Sequence, residues 1–105
     1  MELPLSITRT GTEHVALPGC TKNISSSGVL FTSVTQPDLG GPIEYVITLN
    51  LEGPQRVNIR CVGKVLRAEG LDVHDQEHRS FAIAATLERY EFLRDSDGHP
   101  STAKT

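Results

Sequence analysis

Three stretches of this chain alternate apolar and polar residues with a period of two, and that pattern limits the fold more than any other feature. In "IEYVITLNL", Ile43, Tyr45, Ile47, Leu49 and Leu51 share one parity, while Glu44, Thr48 and Asn50 take the other together with Val46. In "RVNIRCVGKV", Val57, Ile59, Cys61 and Val65 oppose Asn58, Arg60 and Lys64. In "FAIAATL", Phe81, Ile83, Ala85 and Leu87 fall on one side. Successive side chains of a strand point to opposite faces, so each stretch reads as a half-buried strand. Gly63 interrupts the apolar parity of the second stretch, which predicts a bulge, a sharp bend or the close approach of another backbone.

Shorter runs add to the set. "VLFTSV" follows Gly28, "LPLSITR" is a weaker strand near the start, and "EHVALPGCTK" reads as a strand interrupted at Pro18-Gly19. Turn chemistry separates the runs at "QPDLGGP", "EGPQ" and "EGLDVHDQEHRS". "LERYEFLRD" places Leu87, Tyr90 and Leu93/Arg94 at helical spacing and predicts a short helix. Residues 95–105 hold no apolar residue beyond Ala103 and read as a flexible tail after a domain spanning residues 1–94. Five to seven short strands at close spacing predict an all-β fold, a small antiparallel barrel or sandwich.

A chain of 105 residues suits one domain that buries roughly 60–70% of its unfolded surface. The formal net charge of −3 argues against general binding to nucleic acid or to an anionic membrane. No apolar run is long enough to span a bilayer, and "MELPLSITRT" lacks the basic and apolar regions of a signal peptide. Cys20 and Cys61 form no metal-binding spacing and read as two buried reduced thiols of a cytoplasmic protein.

Little in the chain suggests chemistry. His74 and His78 stand four apart but occupy a polar loop without a third ligand, so no metal and no cofactor is expected. The serines stand in no motif relation to a base, so no enzyme is expected. An oligonucleotide-binding barrel fits the strand pattern. However, Phe31, Phe81, Phe92, Tyr45 and Tyr90 are the only aromatics, and most are needed for the core.

The remaining feature is "NISSSG", Asn23 to Gly28. As a plain hydrogen-bonded turn it needs no ligand. It also resembles the (D/N)-x-S-x-x-G motif of PilZ domains, and the segments after it follow that family's order: "VLFTSV", "GGPIEYVITLNL", "VNIRCVGKVLRAE", then "FAIAATL". The resemblance covers roughly residues 3 to 94. It implies a six-stranded antiparallel barrel with a short C-terminal helix, acting in bacterial signalling as a receptor for cyclic di-GMP. Asn23 and Ser25 would hydrogen-bond a guanine, and Gly28 would let the backbone pass close to the ligand.

The family's second motif, R-x-x-x-R, is expected roughly twenty residues before Asn23 and does not occur there. Arg9 is the only arginine before Asn23. Each charge-assisted hydrogen bond contributes about 1.5–3 kcal/mol, so two missing arginines cost roughly 3–6 kcal/mol, or about 10²- to 10⁴-fold in affinity. Lys22 and Arg67 are the nearest cations that could substitute. The expectation is therefore a weak cyclic di-GMP site made of Asn23, Ser25, Gly28, Arg9, Lys22 and Arg67. The alternative is a PilZ-like module that acts on a protein partner without nucleotide. Neither involves nucleic acid or membrane insertion.

Overall fold

The structure, a computed structural model, describes residues 2–49, 57–71 and 80–94. Most of them lie in seven strands: β1 (Pro4–Thr10), β2 (Glu13–Ile24), β3 (Gly28–Ser33), β4 (Pro42–Leu49), β5 (Val57–Gly70), β6 (Phe81–Thr86) and β7 (Arg89–Arg94). All pairings are antiparallel. The sheet order is β4-β1-β2-β3-β6-β5-β7, and a further β4–β5 ladder closes the first six strands into a barrel. Closure supplies every barrel strand with two neighbours along most of its length and lets one face be fully buried. Among the described residues no helix is long and apolar enough to cross a membrane.

The core is built by the parity seen in the sequence. Leu5, Ile7, Val29, Phe31, Ile43, Tyr45, Ile47, Cys61, Val65, Ile83 and Ala85 are buried together. The Phe31 and Tyr45 rings lie 5.5 Å apart in a tilted pair, and the buried Tyr45 hydroxyl donates to the Thr86 carbonyl at 3.2 Å. Thr21 is also buried, and its Oγ1 accepts from the Leu3 amide at 2.8 Å. Both phenol and thiol are pushed up in pKa by burial; Tyr45 also feels Cys61, whose thiol rises to about 11.

Gly63 proves to be a site of close backbone approach. A Cβ there would run into the Thr86 carbonyl oxygen. At this point β6 ends and the chain crosses to β7. The Lys64 amide donates to Thr86 Oγ1 at 2.8 Å, and the Glu88 amide donates to the Val62 carbonyl at 2.9 Å. β6 and β7 therefore lie end to end along β5. β6 pairs with Val65–Gly70 and β7 with Val57–Val62.

Three expectations need correction. The segment expected to be helical, "LERYEFLRD", forms β7 over Arg89–Arg94. A helix of so few residues is marginal alone, whereas β5 offers an open ladder directly downstream of β6. β2 is not interrupted at Pro18-Gly19. Pro18 pairs only with β1, because the β3 ladder begins at Gly19, so the missing N–H costs no cross-strand bond on that side. Cys20 is half-exposed, and only Cys61 is buried; both are free thiols. The expected turn at "EGPQ", the His74/His78 loop and the tail at 95–105 lie outside the described residues.

Candidate functional site

Asn23 and Arg67 would both point inward if β2 and β5 alternated strictly. Thr21 and Val65 are buried, and each stands two residues before one of them. Each strand, however, carries one extra residue at the intervening position. The β2–β3 register shifts between Thr21 and Asn23, and the β5–β6 register shifts between Val65 and Arg67. The extra residues are Lys22 and Leu66. A bulge of this kind re-aims the side chain that follows it. Asn23 and Arg67 are turned to the outer surface as a result, and both are exposed.

The register then aligns them. Asn23 pairs with Leu30, Leu30 with Ala84, and Ala84 with Arg67. The row crosses β2, β3, β6 and β5, three strand spacings or about 14 Å. Over this row lies an open groove of about 220 Å³, lined by Asn23, Ser25, Gly28, Leu30, Leu66 and Arg67 among others. The groove has a carboxamide at one end, a guanidinium at the other and an apolar floor between them. Among the described residues Arg67 has no carboxylate partner and the Asn23 side chain has no hydrogen bond. Such a surface can take a flat group with a polar edge, and an anion beside it.

Ser25 and Gly28 serve the fold as well. Ser25 Oγ accepts from the Gly28 amide at 3.2 Å and the Ser27 amide at 3.3 Å, and donates to the Gly28 carbonyl at 3.2 Å. The Ser25 amide also donates to the Gly28 carbonyl at 2.9 Å. The hydroxyl therefore closes the β2–β3 turn, a local role that serine often takes. A Cβ on Gly28 would lie 2.9 Å from the Ala85 carbonyl oxygen, so the β3–β6 contact alone accounts for glycine here.

The other two expected cations stand elsewhere. Arg9 on β1 pairs in register with His14, at the far end of β2 from Asn23. Its Nε bonds Glu44 at 3.0 Å, and Arg60 approaches the same carboxylate at 3.5 Å while holding Glu91 at 2.7 Å. These side chains border a different cleft, of about 300 Å³, together with Arg89. Lys22 is the bulge residue itself, and its Nζ is 3.0 Å from Glu2. That contact holds the Glu2 carboxyl below its usual pKa and the Lys22 ammonium above its own. The sequence brings together Asn23, Ser25, Gly28 and Arg67, but not Arg9 or Lys22.

Sequence reasoning missed the aromatic residues at the barrel mouth. The sequence reading places most of the five aromatics in the core and does not single out Tyr90 and Phe92, which are 60% and 62% exposed and stack edge to face at 5.9 Å. They overhang a cavity of about 490 Å³ whose walls include Ile24, Ile47, Leu49 and Ile59. Their spacing of two was a strand signal, outweighed in the sequence by the helical spacing of Leu87, Tyr90 and Leu93. Among the described residues no three histidine, cysteine or carboxylate side chains cluster as a metal site would require. Neither a family model, nor a curated protein, nor a solved structure matches this chain.

Proposed function

We propose that this chain is a PilZ-type signalling module whose outer groove takes one guanine of cyclic di-GMP, weakly and without chemistry. One observation carries the reading: four of the six residues expected at the site border a single exposed groove. In it the Asn23 carboxamide meets the edge of the base, Leu30 and Ala84 lie under its face, and Arg67 meets the phosphate. Arg67 is a lone cation where the family uses a pair on the segment leading into the barrel, so affinity is low.

Calorimetric titration with cyclic di-GMP tests this. The expected result is weak, saturable heat at high nucleotide concentration, lost in Asn23→Ala and reduced about tenfold in affinity by Arg67→Ala. Absence of heat at millimolar nucleotide rejects the reading.

A second reading has its own support. Ser25 is spent on its turn and Gly28 is required by Ala85, so much of the hexapeptide is explained by the barrel alone. On that reading the module recognises a protein partner without nucleotide. A stable partner captured in nucleotide-free conditions, with binding unchanged in Asn23→Ala, would select it.

A further inference from the structure

Three bulges interrupt the described ladders, and each turns a polar side chain to the outer face. Those at Lys22 and Leu66 re-aim Asn23 and Arg67. The third is in β1. Ile7 is buried, so strict alternation would bury Arg9 as well, but the register with both β2 and β4 shifts between Ile7 and Arg9. Thr8 is the extra residue. Its Oγ1 donates to the Glu44 carbonyl at 3.2 Å, and Arg9 emerges exposed.

Two of the bulges build the outer groove, and the register shows what the third builds. Arg9 pairs with Glu44, Glu44 with Val62, and Val62 with Arg89. In the adjacent row Val46 pairs with Arg60, and Arg60 with Glu91. Arginines from β1, β5 and β7 therefore share one patch of the outer face. All three line the cleft of about 300 Å³, together with Gly11, Pro42 and Val62. Arg9 and Arg89 stand at the two ends of their row, three strand spacings or about 14 Å apart at the backbone, a span that two long side chains can close on a small ion.

The three arginines are not equally committed. Glu44 is only 14% exposed and gives one carboxylate oxygen to Arg9 and the other to Arg60. Arg60 is held twice, at Nε by Glu44 and at Nη2 by Glu91. Arg9 is held at Nε, which takes one edge of its planar fork and leaves the Nη1–Nη2 edge. Arg89 is exposed and has no carboxylate partner among the described residues. Arg9, Arg60, Glu44 and Glu91 cancel in formal charge, so Arg89 gives the cleft an excess of one positive charge. We infer that this cleft is an oxyanion site and that the group it takes is a phosphate. A guanidinium at each end suits a tetrahedral ion, whose oxygens point to both. A carboxylate presents its two oxygens along one edge and is served by a single fork. The small excess of charge makes the binding weak. The site is separate from the outer groove and goes beyond the reading proposed for it, since Arg67 does not border this cleft.

Titration of the full chain with inorganic phosphate at constant ionic strength, followed by NMR of the backbone amides and the arginine Nε–H groups, tests this. Saturable shifts are expected at Gly11, Val62 and Arg89 and at the Arg9 Nε–H. Arg89→Gln breaks no ion pair among the described residues, so it should keep the melting temperature while weakening phosphate binding about tenfold. Arg89→Lys, which keeps the charge and loses the fork, should recover part of that loss. Arg67→Ala should leave the midpoint where it was. Shifts that never saturate, or an Arg89→Gln protein that binds phosphate as the parent does, overturn the inference. Acetate bound as tightly as phosphate overturns the choice of phosphate.

Discussion

The two halves of β5 carry cations onto the same outer surface with opposite outcomes. In Val57–Val62, Arg60 is held between Glu44 and Glu91, and Arg9 shares Glu44. In Val65–Gly70, Arg67 faces the neutral Ala84 and Leu30 across β6 and β3 and pairs with no carboxylate among the described residues. The first arrangement ties four strands together and leaves little charge for a visitor. The second contributes little to folding and keeps a guanidinium available. The comparison separates arginines tied to carboxylates from Arg67, which is not, a distinction that counting arginines in the sequence does not give.

Gly63 is the joint between the halves, and changing it should do the most damage. Gly63→Ala forces a Cβ against the Thr86 backbone, where no side chain can swing away, and should cost about 3 kcal/mol in chemical denaturation. An unchanged midpoint would mean that the β6-to-β7 crossing can shift.

Alkaline pH should act next, through the core behind the paired half. Burial raises the Cys61 thiol from 9.0 to about 11, so the folded state favours the neutral form. That contribution is intact below pH 9 and is lost as pH climbs toward 11; Tyr45 acts in the same direction at higher pH. Melting curves between pH 8 and 11 should fall across that window. In Cys61→Ala the fall should be shallower on a lower baseline.

Glu44→Gln should destabilise by about 1 kcal/mol, because Glu44 is only 14% exposed and loses its charge toward two arginines. High salt should shrink the difference between the two proteins. Arg67→Ala should leave stability within about 0.5 kcal/mol of the parent while lowering nucleotide affinity. If the two variants exchanged effects, with Arg67→Ala destabilising and Glu44→Gln harmless, the contrast between the halves would fail.

The barrel was legible because inside and outside differ by one step in sequence. Ile43, Tyr45, Ile47, Cys61, Val65, Ile83 and Ala85 announce their burial by parity alone. Gly63 was legible as a glycine on an apolar parity. The gathering of Asn23, Ser25 and Gly28 with Arg67 around one groove follows from the spacing of the strands. Three things were not legible. The direction of Arg67 depends on an extra residue that composition does not mark. The pairing of Arg9 with Glu44 joins residues 35 apart in sequence through the β1–β4 register. β7 follows from an open ladder on β5, a tertiary opportunity that local helical spacing does not reveal.

The extra residues at Lys22 and Leu66 also bear on how this protein can change in length. Deleting one residue from a regular strand exchanges core for surface along everything downstream of it. At Lys22 and Leu66 the ladder already skips a residue, and at both positions the opposite edge of the strand is unpaired, β1 ending at Cys20 and β4 at Lys64. Loss of either residue leaves Thr21, Val65 and Ala68 on the faces they now occupy. The walls of the outer groove are therefore places where a descendant of this chain can gain or shed a residue, reshaping what the groove admits while the interior stays as it was.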